Sequence, residues 1–226
     1  MTDPIVALVT VASPSYRAFA DDLMESAEEN IRGVFDWYKL AGEEGWPCGT
    51  ECRHGIFANW LTNGDEYDVA FLLDADMLVE EPFDLADILP PKPGIVATLH
   101  PGYVGMPRHI LPYESRPESR AFIPDDQGDF YYAGGVIGGT REELLVFSRC
   151  VDQMIRDERD DGREVAWHDE SCVNAILAVA PPVLTLDPSF AHPDADAHYV
   201  RNIWGGRDYP RHIVCLDKAP AERVGR

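Results

Sequence analysis

The stretch Asp68-Val-Ala-Phe-Leu-Leu-Asp74-Ala75-Asp76 constrains the fold more than any other. Val69 to Leu73 is a near-continuous apolar run of strand length, the pattern of a strand buried on both faces of an α/β sheet. Two aspartates spaced i, i+2 end it. Side chains alternate along a strand, so both would point the same way at its carboxyl end, where open α/β sheets bind ligands. Converging carboxylates repel each other unless a cation or hydrogen-bond donors compensate. A hard divalent cation that also holds a substrate phosphate is one reading. A solvated acidic turn is the other.

The remaining chain supplies an α/β frame around this strand. Ile5 to Val11 reads as a buried first strand. The turn Ser13-Pro14-Ser15 leads into a helix with Phe19, Leu23, Ala27 and Ile31 at four-residue intervals. This order suggests a nucleotide-binding half, without the G-x-G-x-x-G of a dinucleotide fold. Val34 to Leu40 is expected as a short second strand, Glu51 to Leu61 as a helix carrying Arg53, and Ile95 to Leu99 as another strand. His100 to Arg120 has no clean periodicity, and long irregular segments inside compact domains are usually functional. Phe130 to Gly139 brackets a short apolar strand with two glycine pairs, by default turn or close-packing residues. Thr140-Arg-Glu-Glu143 is a capping-box pattern opening a helix through Leu144, Val151, Met154 and Ile155, with Arg156 to Glu164 as its solvated end. Trp167-His-Asp-Glu-Ser171 opens a second helix, which Pro181-Pro182 stops. Ile213 to Leu216 is expected as the last strand, before a tail holding Lys218, Arg223 and Arg226.

A chain of 226 residues suits a single domain, here divided into a nucleotide-binding half (1–98) and a second half (99–226). A formal net charge of −21 argues against a nucleic-acid surface, which needs a basic footprint. The same charge makes an anionic substrate awkward unless a metal or local basic groups receive it. No stretch has the length of a membrane span or the pattern of a signal peptide, so a cytoplasmic protein is expected. The five cysteines are odd in number and scattered, and are expected as reduced thiols, mostly buried.

Beyond the aspartate pair the chemical signals are individually modest. Asp169 and Glu170 stand in a first helical turn, where acids commonly just stabilise the helix. Trp167 beside them offers a face on which a sugar ring can stack. His100 ends a strand before Pro101-Gly102, and a lone histidine is more often structural. In so acidic a chain the terminal Lys and Arg residues are either a frayed tail or a lid for a phosphate.

The joint order of these segments resembles glycosyltransferase family 6, the retaining enzymes related to the histo-blood-group A and B transferases and the animal α-1,3-galactosyltransferase. The matching segments are Gly45-Trp-Pro-Cys-Gly-Thr-Glu-Cys-Arg53, Asp74-Ala-Asp76, Leu99-His-Pro-Gly-Tyr103, Tyr113-Glu-Ser-Arg-Pro117, Ala121-Phe-Ile-Pro124, Gly128-Asp-Phe-Tyr-Tyr132, Gly138-Gly139 and Trp167-His-Asp-Glu-Ser171. The resemblance implies a GT-A fold, a Rossmann-like, mainly parallel sheet flanked by helices. It also implies a UDP-sugar donor, a glycan acceptor and Mn²⁺ (or Mg²⁺). By the same resemblance, Val11, Ala12 and Tyr16 fall where the family holds uridine, and Arg53 matches its donor-site arginine. Asp74 and Asp76 match the ribose and metal ligands, with Ala75 between them at the donor. His100 matches a residue that contacts the acceptor and donor-sugar region, Trp167 one that lines the acceptor pocket, Asp169 one that orients the donor sugar, and Glu170 the candidate nucleophile, which also contacts the acceptor. Asp194 aligns with a further acceptor contact. Lys218 and Arg223 resemble a tail that closes on the diphosphate. Ala133, Gly134 and Gly135 match the segment that discriminates the donor's C2 substituent. Their small size puts UDP-GalNAc first and UDP-Gal second, with a galactoside-containing glycan as acceptor.

Three departures from the family pattern carry expectations. Both aspartates are kept, whereas many bacterial relatives have asparagines, so metal dependence is expected. The first strand begins at residue 5 rather than after a membrane anchor and stem, so a soluble member of bacterial or phage type is expected. The segment before Gly45 is short, so a strand-and-loop unit is missing or replaced by Gly33 to Glu44. Two other classes use part of the same residues: a metal-dependent nucleotide-sugar hydrolase or nucleotidyltransferase, and a non-catalytic glycan or nucleotide binder.

Overall fold

Alternating side chains on two central strands feed two separate cores, and this fixes the layering. The computed structural model describes residues 3–64, 67–194 and 202–217. Lys218 and Arg223 lie outside the described residues. In chain order the elements are β1 (Val6–Ala12), α1 (Arg17–Asn30), β2 (Ile31–Arg32), β3 (Asp36–Ala41), α2 (Cys48–Glu51), α3 (Arg53–Asn63), β4 (Val69–Leu73), β5 (Met77–Val79), β6 (Phe83–Asp84), β7 (Ile95–Leu99), β8 (Tyr132–Thr140), α4 (Arg141–Asp160), α5 (His168–Val179), β9 (Leu184–Leu186), β10 (His192–Pro193) and β11 (Ile213–Cys215). Ala7 and Val9 of β1, with Ala70 and Leu72 of β4, pack against Phe57 of α3, Leu144 and Val151 of α4, and Val173 of α5. Val6 and Leu8, with Val69, Phe71 and Leu73, face the other way onto Leu23 and Ala27 of α1. This is the two-sided burial expected of a strand covered on both faces.

The main sheet has the order β3-β1-β4-β8-β7-β9. β1 is parallel to β3 and β4, and β7 is parallel to β9. β8 alone runs against its neighbours β4 and β7. β3, supplied by the short segment before Gly45, forms one edge and sends the chain on to Gly42, whose N–H donates to the Ala12 carbonyl at 2.9 Å. The division expected between residues 98 and 99 falls inside β7, so the two halves are continuous through one sheet.

Five local readings differ from the sequence expectation. β4 ends at Leu73 and the chain turns, with the Met77 N–H donating to the Asp74 carbonyl at 3.2 Å. A tight turn, not strand alternation, therefore sets the directions of Asp74 and Asp76. The apolar segment between the glycine pairs is a nine-residue strand that runs through both. Gly138 permits this: a Cβ there would stand 2.1 Å from the Phe71 ring of the neighbouring strand. Thr140 precedes α4 without capping its backbone, because its hydroxyl meets the Glu143 carboxylate and accepts the Gly94 N–H at 3.1 Å. The expected solvated end of α4 contains the buried Glu158, which accepts from the Arg120 N–H at 2.5 Å and from Arg163 at 3.0 Å. The five thiols are free as expected, but only Cys172 is buried; Cys48 and Cys52 are half-buried, and Cys150 and Cys215 are exposed.

Candidate active site

The carboxyl ends of β1 and β4 open into a cavity of about 280 Å³. It gathers Val11 and Tyr16 from the end of β1 and the turn after it, Arg53 from the start of α3, and Asp74, Ala75 and Asp76 from the turn after β4. The position follows from the topology, since parallel strands end together there. Ala12 sits behind the cavity wall, buried against Ala20 and Ala75. Among the described residues the lining has four carboxylates, Glu43, Glu44, Asp74 and Asp76, and one guanidinium, that of Arg53.

Arg53 is the hub. Its buried guanidinium pairs with the carboxylates of Asp74 and Asp169 and donates to the Gly134 carbonyl at 3.0 Å. One side chain thereby ties α3 to the β4 turn, to β8 and to the first turn of α5. Gly134 must be small for this, because a Cβ would stand 2.8 Å from Arg53 Nη2. A Cβ on Gly135 would stand 2.1 Å from Met77 Cε. Both spaces are filled by the protein's own side chains, and Ala133 is buried in β8. The small size of this segment thus serves packing.

The Gly134 N–H donates to Glu170 Oε2 at 2.9 Å, and the Tyr131 hydroxyl donates to Oε1 at 2.9 Å. Burial pushes the Glu170 carboxyl up, and these two donors resist by favouring the ionised form. Burial likewise pushes Asp169 up, with Arg53 opposing it. Both acids stand at the positive end of the α5 dipole. His168, between Trp167 and Asp169, has a φ of 51°, a strained left-handed conformation for a non-glycine residue. It is held by Glu51, whose carboxylate lies 3.1 Å from His168 Nδ1.

His100 joins this cluster through Tyr131, their ring centroids 5.7 Å apart. Its Nδ1 accepts the Gly102 N–H at 3.1 Å, so the neutral ring carries its proton on Nε2. Burial pushes the ring down from 6.5 to about 4. His54 is pushed down too, by burial first and then by neighbouring Arg53. For both rings the unfolded chain takes up a proton more readily than the folded one, so stability falls as pH falls. The part owed to His100 is fully present above about pH 6.5 and is lost on descent towards pH 4. Thermal melts across that window should show a shallower loss for His100→Gln than for the parent; equal slopes would contradict this assignment.

Trp167 is exposed beside the α5 start, 53% accessible, as a stacking face requires. Asp194 lies elsewhere, at the β10–β11 edge, with Arg211 at 3.5 Å and its own N–H on the Cys215 carbonyl at 3.1 Å. Its link to the cluster is indirect. The His192 ring lies 5.3 Å from that of Trp204, whose indole N–H donates to the Pro101 carbonyl at 2.9 Å. Sequence reasoning gave no site role to Tyr131, Trp46 or the Gly42–Gly45 turn, although two of these lay in segments that carry the resemblance. Tyr131 holds Glu170, and Trp46 lines the cavity with its ring edge-on to His168 at 4.5 Å.

Residues 50–203 match the family model described as Glycosyltransferase family 6. The chain is 41% identical over 96 residues to the histo-blood group ABO system transferase 1 of Rattus norvegicus, covering 42% of this chain and 28% of that protein. It is 36% identical over 132 residues to the human globoside alpha-1,3-N-acetylgalactosaminyltransferase 1, covering 57% of this chain and 36% of that protein. A glycosyltransferase 6 domain-containing protein 1 of Mus musculus is 27% identical over 183 residues, 80% of this chain and 57% of that protein. The chain therefore spans roughly a third of the length of the first two relatives. No helix among the described residues is long and apolar enough to cross a membrane. The mainly parallel six-stranded sheet with helices on both faces is of the GT-A type, and by this match the chain belongs to glycosyltransferase family 6.

Proposed function

We propose that the chain is a retaining glycosyltransferase that moves GalNAc or Gal from a UDP-sugar to a galactoside-containing glycan in α-1,3 linkage. The observation that carries this reading is the Arg53 hub. It sets a carboxylate of the cavity, Asp74, and a carboxylate of the sugar-side cluster, Asp169, on one guanidinium. The cavity would hold the nucleotide and the Asp169–Glu170 turn the sugar, with Trp167 and His100 on the acceptor side. The names of the relatives, one of them an N-acetylgalactosaminyltransferase, support the donor class. The cytoplasmic setting expected from the sequence belongs to the same proposal.

Asp74 and Asp76 both line one cavity, and carboxylates are the ligand type that a hard divalent ion takes. A bound Mn²⁺ or Mg²⁺ would neutralise charge on the departing diphosphate. Among the described lining residues four carboxylates face one guanidinium, a balance that disfavours a diphosphate without such an ion. The Leu216 N–H donates to the Asp76 carbonyl at 2.9 Å, so the chain reaches the aspartate pair just before Lys218. That supports a closing role for Lys218 and Arg223. Glu170 would act on the face opposite the leaving group, either as nucleophile or by stabilising an oxocarbenium-like centre. Asp169, fixed by Arg53, would orient sugar hydroxyls.

UDP release from UDP-GalNAc, UDP-Gal and UDP-Glc, each with Mn²⁺ or a chelator and with lactose or 2′-fucosyllactose, tests this. Metal-dependent release from a galacto-configured donor, stimulated by acceptor, is expected. Release indifferent to acceptor would favour a hydrolase. UDP binding without turnover would favour a binder.

A further inference from the structure

The segment that walls the cavity carries a second group of potential ligands that the transferase reading does not use. Cys48 opens α2 and Cys52 follows its last residue, so the i, i+4 spacing sets both thiols on one face. Their sulfurs lie 3.4 Å apart, and the Cys48 thiol donates to Glu43 Oε2 at 2.9 Å. The three ligand atoms lie within 4.8 Å of one another. Tetrahedral zinc with Zn–S bonds of about 2.3 Å places two sulfurs roughly 3.7 Å apart. The two sulfurs would therefore shift by only tenths of an ångström to hold such an ion. Glu43 is exposed and both thiols are half-buried, so an ion can enter from solvent.

We propose that Glu43, Cys48 and Cys52 form a binding site for a thiophilic divalent cation of the zinc class, separate from the Asp74–Asp76 pair. Ligand softness sorts ions between the two places: thiolates select Zn²⁺, whereas an all-oxygen pair suits Mn²⁺ or Mg²⁺. A fourth coordination position is left to solvent. Glu43 lines the cavity and Cys52 directly precedes Arg53, so an ion here would brace the cavity wall against α3. This site stands whether or not the chain transfers sugar. Binding replaces the thiol protons, so two thiols lose protons to solvent as the two metal–sulfur bonds form.

The test is a Co²⁺ titration of the reduced 226-residue chain in excess Mg²⁺, followed by Zn²⁺ displacement. One equivalent should give a near-ultraviolet thiolate-to-cobalt charge-transfer band, which Zn²⁺ abolishes. Cys48→Ser and Cys52→Ser should each lose the band. Glu43→Gln should weaken binding by roughly tenfold or more, because even outer-sphere partners of metal ligands are worth about 10- to 100-fold. Asp76→Asn should keep the band. Zn²⁺ should raise the melting midpoint of the parent but not of the cysteine variants, whose metal-free midpoints show whether they fold. Absence of the band in the reduced parent would overturn the proposal, as would a band that persists in the Cys48→Ser/Cys52→Ser double variant.

Discussion

Replacing Glu170 with Gln should lower the turnover number for sugar transfer on the order of 10³-fold or more, with UDP affinity and melting midpoint near those of the parent. The substitution is isosteric. Its amide can turn its oxygen to the Gly134 N–H and its NH₂ to the Tyr131 hydroxyl, which then accepts, so both present partners stay satisfied. On the proposed function, what is lost is the negative charge that a covalent intermediate or an oxocarbenium-like centre alike requires. Tyr131→Phe should cost far less, since Glu170 keeps the Gly134 N–H. Steady-state UDP release beside UDP titration calorimetry separates turnover from binding. Full turnover in Glu170→Gln would remove this residue from the reaction.

Arg53→Met should be the most destabilising change in the site. It removes the counter-charge from Asp169, which is 2% exposed, and from the half-buried Asp74. Breaking a buried pair by deleting one partner typically costs about 3–5 kcal/mol, because a charge is left uncompensated. At roughly 2–4 °C per kcal/mol for a chain of this size, the melting midpoint should fall by about 10 °C. Arg53→Lys should not restore the parent, since an ammonium cannot reach two carboxylates and the Gly134 carbonyl as a planar fork does. The double variant Arg53→Met/Asp169→Asn should recover part of the loss. A midpoint within a degree or two of the parent for Arg53→Met would show that Asp169 is solvated or neutral in solution, against the buried ion pair.

The aspartate pair was legible because five apolar residues in a row, cut off by Asp74, admit few structures besides a buried strand. The turn that follows was not. It depends on β8, whose Gly135 carbonyl accepts the Asp74 N–H at 2.9 Å from far along the chain. The same limit hid the role of Gly134, which joins Arg53 to Glu170 only once β8 is paired antiparallel to β4. Thr140 has the local pattern of a cap, yet its position at the end of β8 commits its hydroxyl to the turn at Gly94. Glu158 reads as a surface acid in a charged run, and Arg120 and Arg163, brought together by packing, make its burial tolerable. Contacts between distant segments decided what each group holds.

Retention is read most directly from the anomeric configuration of the product. With Mn²⁺, a galacto-configured UDP-sugar and a β-galactoside acceptor, proton NMR of the reaction mixture reads the new linkage as it forms. An α-linked product, preserving the configuration of the donor sugar, is predicted, and Glu170→Gln should suppress it. A β-linked product, or free sugar as the only product with every acceptor tried, would contradict a retaining transferase.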